Sequence, residues 1–270
     1  MRISVIISTY NQPAWLELTL RGYVVQKQSP YEIIVADDGS DERTVAVIER
    51  SRTLTPTPIR HIWQEDDGFR KCRILNLAIQ ASTGDALMFT DGDCIPRSDL
   101  IAVHHALARP GTMLSGGYIK LPEVTSLAIT PAHVDSGAAT NYRWLREHGA
   151  PVTRPLLRLK TKGAIAVAFD RLTPTMAGFN GHNTLAWRED VVRANGFDER
   201  MGYGGQDREL GERLVNAGIR GVQIRHRAHM VHLYHTRKYA VPASREANLA
   251  IRAETKRSGR TWAEQGLTEL

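Results

Sequence analysis

Asp91-Gly92-Asp93 follows the apolar run Ala86-Leu87-Met88-Phe89 and precedes Cys94-Ile95-Pro96. Two carboxylates around a glycine at the end of a buried strand offer hard, anionic oxygens of the kind that hold a divalent cation beside a pyrophosphate. The same pattern occurs in ordinary turns, so its meaning depends on its place in the fold. Three histidines stand together further on, in Ala228-His229-Met230-Val231-His232-Leu233-Tyr234-His235. On an extended strand the period of two sets His229 on the face opposite His232. If a turn begins near Leu233, His232 and His235 both reach one site, where imidazole complements carboxylate around manganese or a similar metal. Histidines that are merely solvated or packed are the alternative. A third cluster, Tyr203-Gly204-Gly205-Gln206-Asp207-Arg208-Glu209, sets paired glycines before an acidic helix start. Glycines let the backbone approach a ligand, and a helix N-terminus stabilises a carboxylate. Asp207 is therefore either a helix cap or a general base for a hydroxyl proton, and composition does not separate the two.

These residues need elements to position them. Over the first hundred residues, short β-branched runs alternate with longer amphipathic segments, the signature of βαβ units and a mostly parallel sheet. Strands are expected at 3–8, 32–36, 59–63 and 86–90, with helices at 13–27, 41–52 and 71–82, Pro13 suiting an early helix position and Gly84 a stop. Each strand ends before a polar cluster: Thr9-Tyr10-Asn11, Asp37-Asp38-Gly39-Ser40, Gln64-Glu65-Asp66-Asp67-Gly68 and Asp91-Gly92-Asp93. Ligands of open α/β sheets bind outside the carboxyl ends of the strands, so all four clusters are expected to converge. From 121 to 174 the pattern weakens, and an excursion with a strand or two is expected. Order returns with helices at 188–194 and 207–217, strands at 221–225 and 229–233, and a packing or surface helix at 244–257. The expected organisation is one domain over 1–240, with a nucleotide-binding half (1–120) and an acceptor half (175–240), followed by a helical tail (241–270).

The bulk properties restrict the function classes. The chain has 270 residues, 42% hydrophobic and 24% charged, enough for a substantial core without disulfide or metal staples. Its net charge of +6 is spread out, apart from 154–162 and 220–227, and no basic helix with a docking motif accompanies it, so nucleic acid is not an expected partner. Cys72 and Cys94 lie in no metal or redox spacing. The amino terminus runs straight into a strand, and no apolar run approaches the roughly 20 residues that span a bilayer. The expectation is a cytoplasmic protein, at most peripheral to the inner face of the membrane, with 154–162 the stretch that could meet an anionic surface.

Taken in order, Ser4-Val5-Ile6-Ile7-Ser8-Thr9-Tyr10-Asn11, Asp37-Asp38-Gly39-Ser40, Trp63 through Arg70, Asp91-Gly92-Asp93 and Asn195-Gly196-Phe197-Asp198-Glu199 resemble glycosyltransferase family 2, which has the GT-A fold. That fold is an α/β architecture with a mostly parallel central sheet flanked by helices, a Rossmann-like nucleotide half and an acceptor half. Residues 195–214 also resemble the Gly-Gly-Glu-Asp region of bacterial chondroitin polymerase, β-1,4-galactosyltransferases and polypeptide N-acetylgalactosaminyltransferases. The resemblance implies an inverting, metal-dependent transferase that moves a sugar from a nucleotide-sugar, a UDP-sugar by preference, to a carbohydrate or lipid-linked saccharide in bacterial polysaccharide or lipopolysaccharide assembly. It implies Ser8, Tyr10 and Asp38 around the nucleoside, with Tyr10 on the base and Asp38 accepting from uracil. Arg70 would support base or phosphates, and Asp91 and Gly92 would contact ribose or metal. Asp93 would bind Mn²⁺, or else Mg²⁺, with His235 preferred to His232 because His235-Thr236-Arg237 resembles the galactosyltransferase metal histidine. Asp207 would be the base, and Asn180, His182, Gly205, Gln206 and Glu209 would shape the acceptor and donor-sugar pocket. Tyr203 and Gln206 depart from the tryptophan and glutamate usual there, which leaves Gln206 or Glu209 to replace the missing carboxylate.

Two other classes fit parts of the pattern. A nucleotidyltransferase would need a glycine-rich basic loop after the first strand, and Thr9-Tyr10-Asn11-Gln12 offers none. A non-catalytic nucleotide-sugar-binding protein would keep the fold and lose the chemistry, which Gln206 alone would favour.

Overall fold

The computed structural model describes residues 1–236 and 242–269. Its first part runs β1 (Ile3–Thr9), α1 (Pro13–Val24), β2 (Glu32–Asp37), α2 (Glu42–Arg52), β3 (Ile59–Trp63), α3 (Lys71–Ala81) and β4 (Ala86–Asp91). Pro13 opens α1, where its missing N–H is no loss, and the Asp41 carboxylate caps α2 by accepting from Arg43 N. The chain continues through β5 (Cys94–Pro96), α4 (Leu100–Leu107), β6 (Thr112–Ser115), β7 (Gly117–Lys120), α5 (Glu123–Ala128), α6 (Pro131–Asp135), α7 (Tyr142–Glu147), α8 (Arg154–Leu157) and α9 (Gly163–Leu172). It ends with β8 (Thr184–Trp187), α10 (Arg188–Arg193), α11 (Gln206–Asn216), β9 (Arg220–Gln223), β10 (His229–His232) and α12 (Pro242–Ser258).

The large sheet has the order β3-β2-β1-β4-β8-β6-β9 and is parallel except for β8, which runs against both β4 and β6. A small sheet, β5-β10-β7, stands beside it. Along β1 the strand period sends Val5 and Ile7 to a core with Leu16, Leu20 and Leu100, and sends Ile6 to a core with Ile74, Leu210 and Leu214. A third cluster lies under the small sheet and includes Ile119, Leu145, Leu156 and Val231. The α/β expectation with a mostly parallel sheet is met. Among the described residues no helix is long and apolar enough to cross a membrane.

The region 121–174 differs from its expectation: among the described residues it holds short helices and no strand. Apart from the ten-residue α9, they are four to six residues long and start at a proline or a polar cap, as at Pro131 in α6 and Asn141 before α7, and none buries more than one apolar residue, such as Val134 or Leu145. Elements of four to six residues are too short to display a period. For the same reason β5, β6, β7 and β8, of three or four residues, left no pattern of their own. The tail helix α12 packs on α11, with Arg252 paired to Glu212 and Asn248 Nδ2 donating to the carbonyls of Gly202 and Gly204 at 2.9 Å. The boundary expected between 240 and 241, and Arg237 of the histidine motif, lie outside the described residues.

Candidate active site

Parallel pairing in register brings Ser8 of β1 opposite Asp91 of β4. Ser8 Oγ donates to Asp91 Oδ1 at 2.9 Å, and Lys71 Nζ, from the first residue of α3, donates to the same oxygen at 2.5 Å. Burial would raise the Asp91 carboxyl, but the charge and hydrogen bond of Lys71 outweigh it and hold the group at about 2. Burial opposes the Lys71 charge in turn, yet Asp91, with Asp207 and Asp93 further off, keeps the ammonium above its usual range. Gly92 crosses tightly between strands: its N–H donates to Ser8 O at 2.7 Å, and a Cβ there would stand 3.1 Å from that oxygen. Lys71 was missed from sequence. The available signal was a cation opening a helix, against the preference of the helix dipole, where the binding crevice was expected.

Asp93 is reached from the small sheet. β10 ends at His232, Leu233 N donates to Asp93 O at 2.9 Å, and the chain then brings His235 back beside the carboxylate. Asp93 Oδ2 is 3.2 Å from His235 Nε2, and Asp93 Oδ1 is 3.8 Å from His232 Nε2. Each ring sets Nδ1 against a backbone carbonyl, Leu233 O at 2.8 Å for His232 and Thr236 O at 3.2 Å for His235. A carbonyl only accepts, so Nδ1 carries the proton and Nε2 a lone pair in the neutral rings. The Asp93 carboxylate and the Nε2 atoms of His232 and His235 thus converge, and with the rings neutral they are ligands that one cation would share. Ligand atoms of Asp91, Asp93, Cys94 and His232 lie within 4.8 Å of one another. Carboxylate oxygen with imidazole nitrogen suits a transition-metal dication such as Mn²⁺ better than Mg²⁺, which keeps to oxygen ligands. Cys94 is no natural member of that set: burial and then Asp93 push its thiol well above its ordinary range, and it donates to Asp93 Oδ1 at 3.5 Å. His229 points away as its strand period required, is wholly buried, sets Nε2 2.9 Å from His226 O, and is pushed down to about 3 by burial.

A cavity of about 600 Å³ opens over these strand ends and is lined by Ser8, Tyr10, Asp38, Asp93, His232 and His235. Asp38 is buried, its oxygens accepting from Gln64 Nε2 at 2.5 Å and from Arg70 N at 3.0 Å, and burial pushes its carboxyl up to about 6. Tyr10 is 44% exposed at the mouth, its hydroxyl donating to Asp66 Oδ2 at 2.8 Å. Arg70 departs from expectation: its guanidinium pairs with Asp67 at 2.5 Å and lines no part of this cavity, so it is the backbone of Arg70 that serves the site by holding Asp38.

A second cavity of about 220 Å³ shares Lys71, Asp91, Gln206 and His232 with the first and adds Asp207, His182 and Lys120. Gly205, at φ +89°, is the left-handed residue before α11 and turns the chain so that Asp207 faces inward. Asp207 Oδ2 accepts from Gly181 N at 2.9 Å and Oδ1 from Arg208 N at 2.8 Å. Gln206 Oε1 accepts from Gly204 N at 2.9 Å, so its amide braces the glycine turn as well as lining both cavities. His182 packs edgewise on Tyr118 with centroids 4.0 Å apart, and burial pushes it down to about 3, a neutral imidazole. Asn180 lines neither cavity: it donates to Ser115 Oγ at 2.9 Å and accepts from Asn183 N at 2.8 Å, bracing the loop that carries His182. Glu209 is the clear correction. It is fully buried on the far side of α11, ion-paired with the fully buried Arg213 at 2.8 Å and accepting from Thr255 Oγ1 at 2.9 Å, and it meets no cavity. One position beyond Arg208, the helical turn carries it inward, so it cannot stand in for a carboxylate at 206.

A sheet with one reversed strand, two carboxylates at a parallel strand end and a second small sheet closing over them define the GT-A class of glycosyltransferase folds. Residues 4–112 match the family model of glycosyl transferase family 2, and residues 165–236 match that of the N-terminal domain of galactosyltransferase. The first of these matches supports a glycosyltransferase of family 2 type over residues 4–112. It is 28% identical over 240 residues to a chondroitin synthase of Escherichia coli, covering 80% of this chain and 32% of that protein. The curated relatives are longer, and the chain spans 23% to 48% of the first three. Among solved structures, S. aureus TarS 1–349 in complex with UDP has a TM-score of 0.60 at 15% identity, over 94% of this chain and 65% of that one. The mannosyltransferase PcManGT of Pyrobaculum calidifontis, in complex with GDP-Man and Mn²⁺, has a TM-score of 0.59 at 21% identity, over 88% and 58%. At these identities the likeness establishes the fold.

Proposed function

We propose that the chain transfers a sugar from a UDP-sugar to a hydroxyl of a carbohydrate acceptor, with inversion at the anomeric carbon and dependence on a divalent cation, Mn²⁺ in preference to Mg²⁺. The observation that carries this reading is the convergence of Asp93 with Nε2 of His232 and His235, beside the smaller cavity that Asp207 lines. The larger cavity takes the nucleotide, with Tyr10 against the base and Asp38 accepting from the uracil N–H. Asp93 and His235, with His232, are the residues that would hold the cation, which would supply Lewis-acid neutralisation of the diphosphate. Lys71 keeps Asp91 ionised beside it and adds positive charge in the shared wall. The smaller cavity takes the reacting sugar and the acceptor. Asp207 removes the acceptor hydroxyl proton as the oxygen attacks, and His182, neutral, shapes the pocket wall without repelling the growing positive charge of the sugar.

The chondroitin synthase similarity supports polysaccharide or lipopolysaccharide assembly as the setting. Two free, buried cysteines suit a cytoplasmic location. A screen of nucleotide-sugars for Mn²⁺-dependent nucleotide release tests the reading: one UDP-sugar should be turned over in the presence of an acceptor, and the turnover should stop with a chelator. Turnover that persists with the chelator, or that uses only GDP-sugars, refutes it.

A further inference from the structure

Helix α9 wears its apolar residues on the outside. At 100° per residue, Ala166 and Asp170 share the face that packs on the protein and are buried, while Ile165, Phe169 and Leu172 form a neighbouring stripe about 60–160° further round the helix. Those three are 63%, 47% and 78% exposed, and Met176 just beyond is 88% exposed. Single exposed apolar residues are ordinary, but several on one helix face and the segment that follows mark a contact surface. The face is held outward by the fold. Asp170 accepts from Arg227 Nε at 2.6 Å and from His226 N at 2.8 Å, Gln223 Nε2 donates to Thr173 O at 3.2 Å, and Phe169 lies nearly parallel on His226 with centroids 5.2 Å apart.

The charge around this face has one sign. Residues 149–180 contain Arg154, Arg158, Lys160, Lys162 and Arg171 against a single acid, Asp170, which is buried in its pair with Arg227. Burial first and then the nearby Arg225 hold the Arg158 guanidinium below its usual range, with Asp170 opposing them. Exposed apolar side chains in a stretch of chain whose charges are almost all positive complement a surface that is anionic outside and hydrocarbon within.

We propose that α9 and Met176 dock this protein on an anionic lipid bilayer, with Ile165, Phe169, Leu172 and Met176 entering the boundary between headgroups and chains and the surrounding arginines and lysines meeting lipid phosphates. The docked face is tied to the smaller cavity, because Arg225 Nη2 donates to Met176 O at 3.4 Å and its charge reaches His182. The inference extends the proposed transfer by presenting that cavity to a lipid-linked acceptor. Vesicle binding requires no turnover, so the two readings fail separately.

The test is flotation with vesicles of phosphatidylglycerol in phosphatidylcholine, against phosphatidylcholine alone. The full chain should float with the anionic vesicles. The double variant Ile165→Gln, Leu172→Gln should weaken this about tenfold or more, as should Arg158→Gln with Lys160→Gln and Lys162→Gln. Both variants should keep UDP affinity, which shows that they are folded. Absence of flotation, or flotation unchanged in either variant, overturns the proposal. So does sedimentation showing a self-associated species that the Ile165 and Leu172 changes dissolve, since the face then belongs to a second copy.

Discussion

Asp38→Asn should make the protein more stable at neutral pH while making it a poorer binder of uridine nucleotides. The wild-type carboxyl is buried and raised from the ordinary 3.8 to about 6, so the native state holds this proton more tightly than the unfolded chain does. The corresponding stability is fully present below about 3.8 and is lost as pH rises through about 6. At 1.36 kcal/mol per pH unit, ionised Asp38 lowers stability by about 3 kcal/mol at neutral pH. Asparagine has no charge to desolvate, but its one oxygen must serve two donors, Gln64 Nε2 and Arg70 N. Gln64 cannot simply turn over, because its Oε1 accepts from Arg73 Nη1 at 2.9 Å. One poorly matched hydrogen bond costs about 1–2 kcal/mol, leaving a net gain of about 1–2 kcal/mol. Urea denaturation of both proteins should show the variant ahead near neutral pH and the advantage vanishing at about pH 4.5–5.3. Calorimetry should show UDP affinity lower by about tenfold or more, the worth of a hydrogen bond to a charged group. Wild-type affinity should also fall as pH drops through about 6, and the variant should lack that step. A variant less stable at neutral pH, or a stability difference that ignores pH, refutes the burial argument, and unchanged UDP affinity removes Asp38 from the base pocket.

Asp207→Asn should leave the UDP dissociation constant nearly unchanged while transfer falls by about 10²–10⁴-fold, and retained turnover removes Asp207 as the base. Asp93→Ala should abolish the Mn²⁺-dependent part of UDP binding in a calorimetric titration. Of the single histidine changes, His235→Ala should weaken Mn²⁺ binding more than His232→Ala, since His235 lies 3.2 Å and His232 3.8 Å from Asp93, and the reverse order would reassign the ligand. Arg213→Met strands a buried Glu209 and should destabilise the fold by about 3–5 kcal/mol by denaturation. Glu209→Gln should change stability without changing turnover per folded molecule; lost turnover at full stability would restore Glu209 to the acceptor site.

Local pattern carried the amino-terminal half. In β1 the alternation of Val5, Ile6 and Ile7 between two cores, and in α1 the proline at its start, are written in residues close together, so strand ends and the clusters after them could be placed to within a few residues. Where an element is short, its conformation comes from its partners: β8 is a strand because β4 and β6 flank it, and α8 is held by Leu156 under the small sheet. Side-chain roles divided in the same way. Ser8, Asp91, Asp93 and Asp207 could be named from motif and order, and the structure brings them to two adjoining cavities.

Arg70 and Asn180 had suitable chemistry but point elsewhere, Glu209 turned inward onto Arg213, and Lys71 drew no notice as an ordinary helix residue. By itself the sequence determined the α/β class, the order of the strands' polar ends and the chemical types available there, because those depend on neighbours in the chain. Only the tertiary structure decided which carboxylates face the cavities, which one a buried arginine neutralises, and that His232 and His235 meet Asp93. Those outcomes depend on direction and burial, which are set by residues distant in sequence and brought close when the two sheets pack.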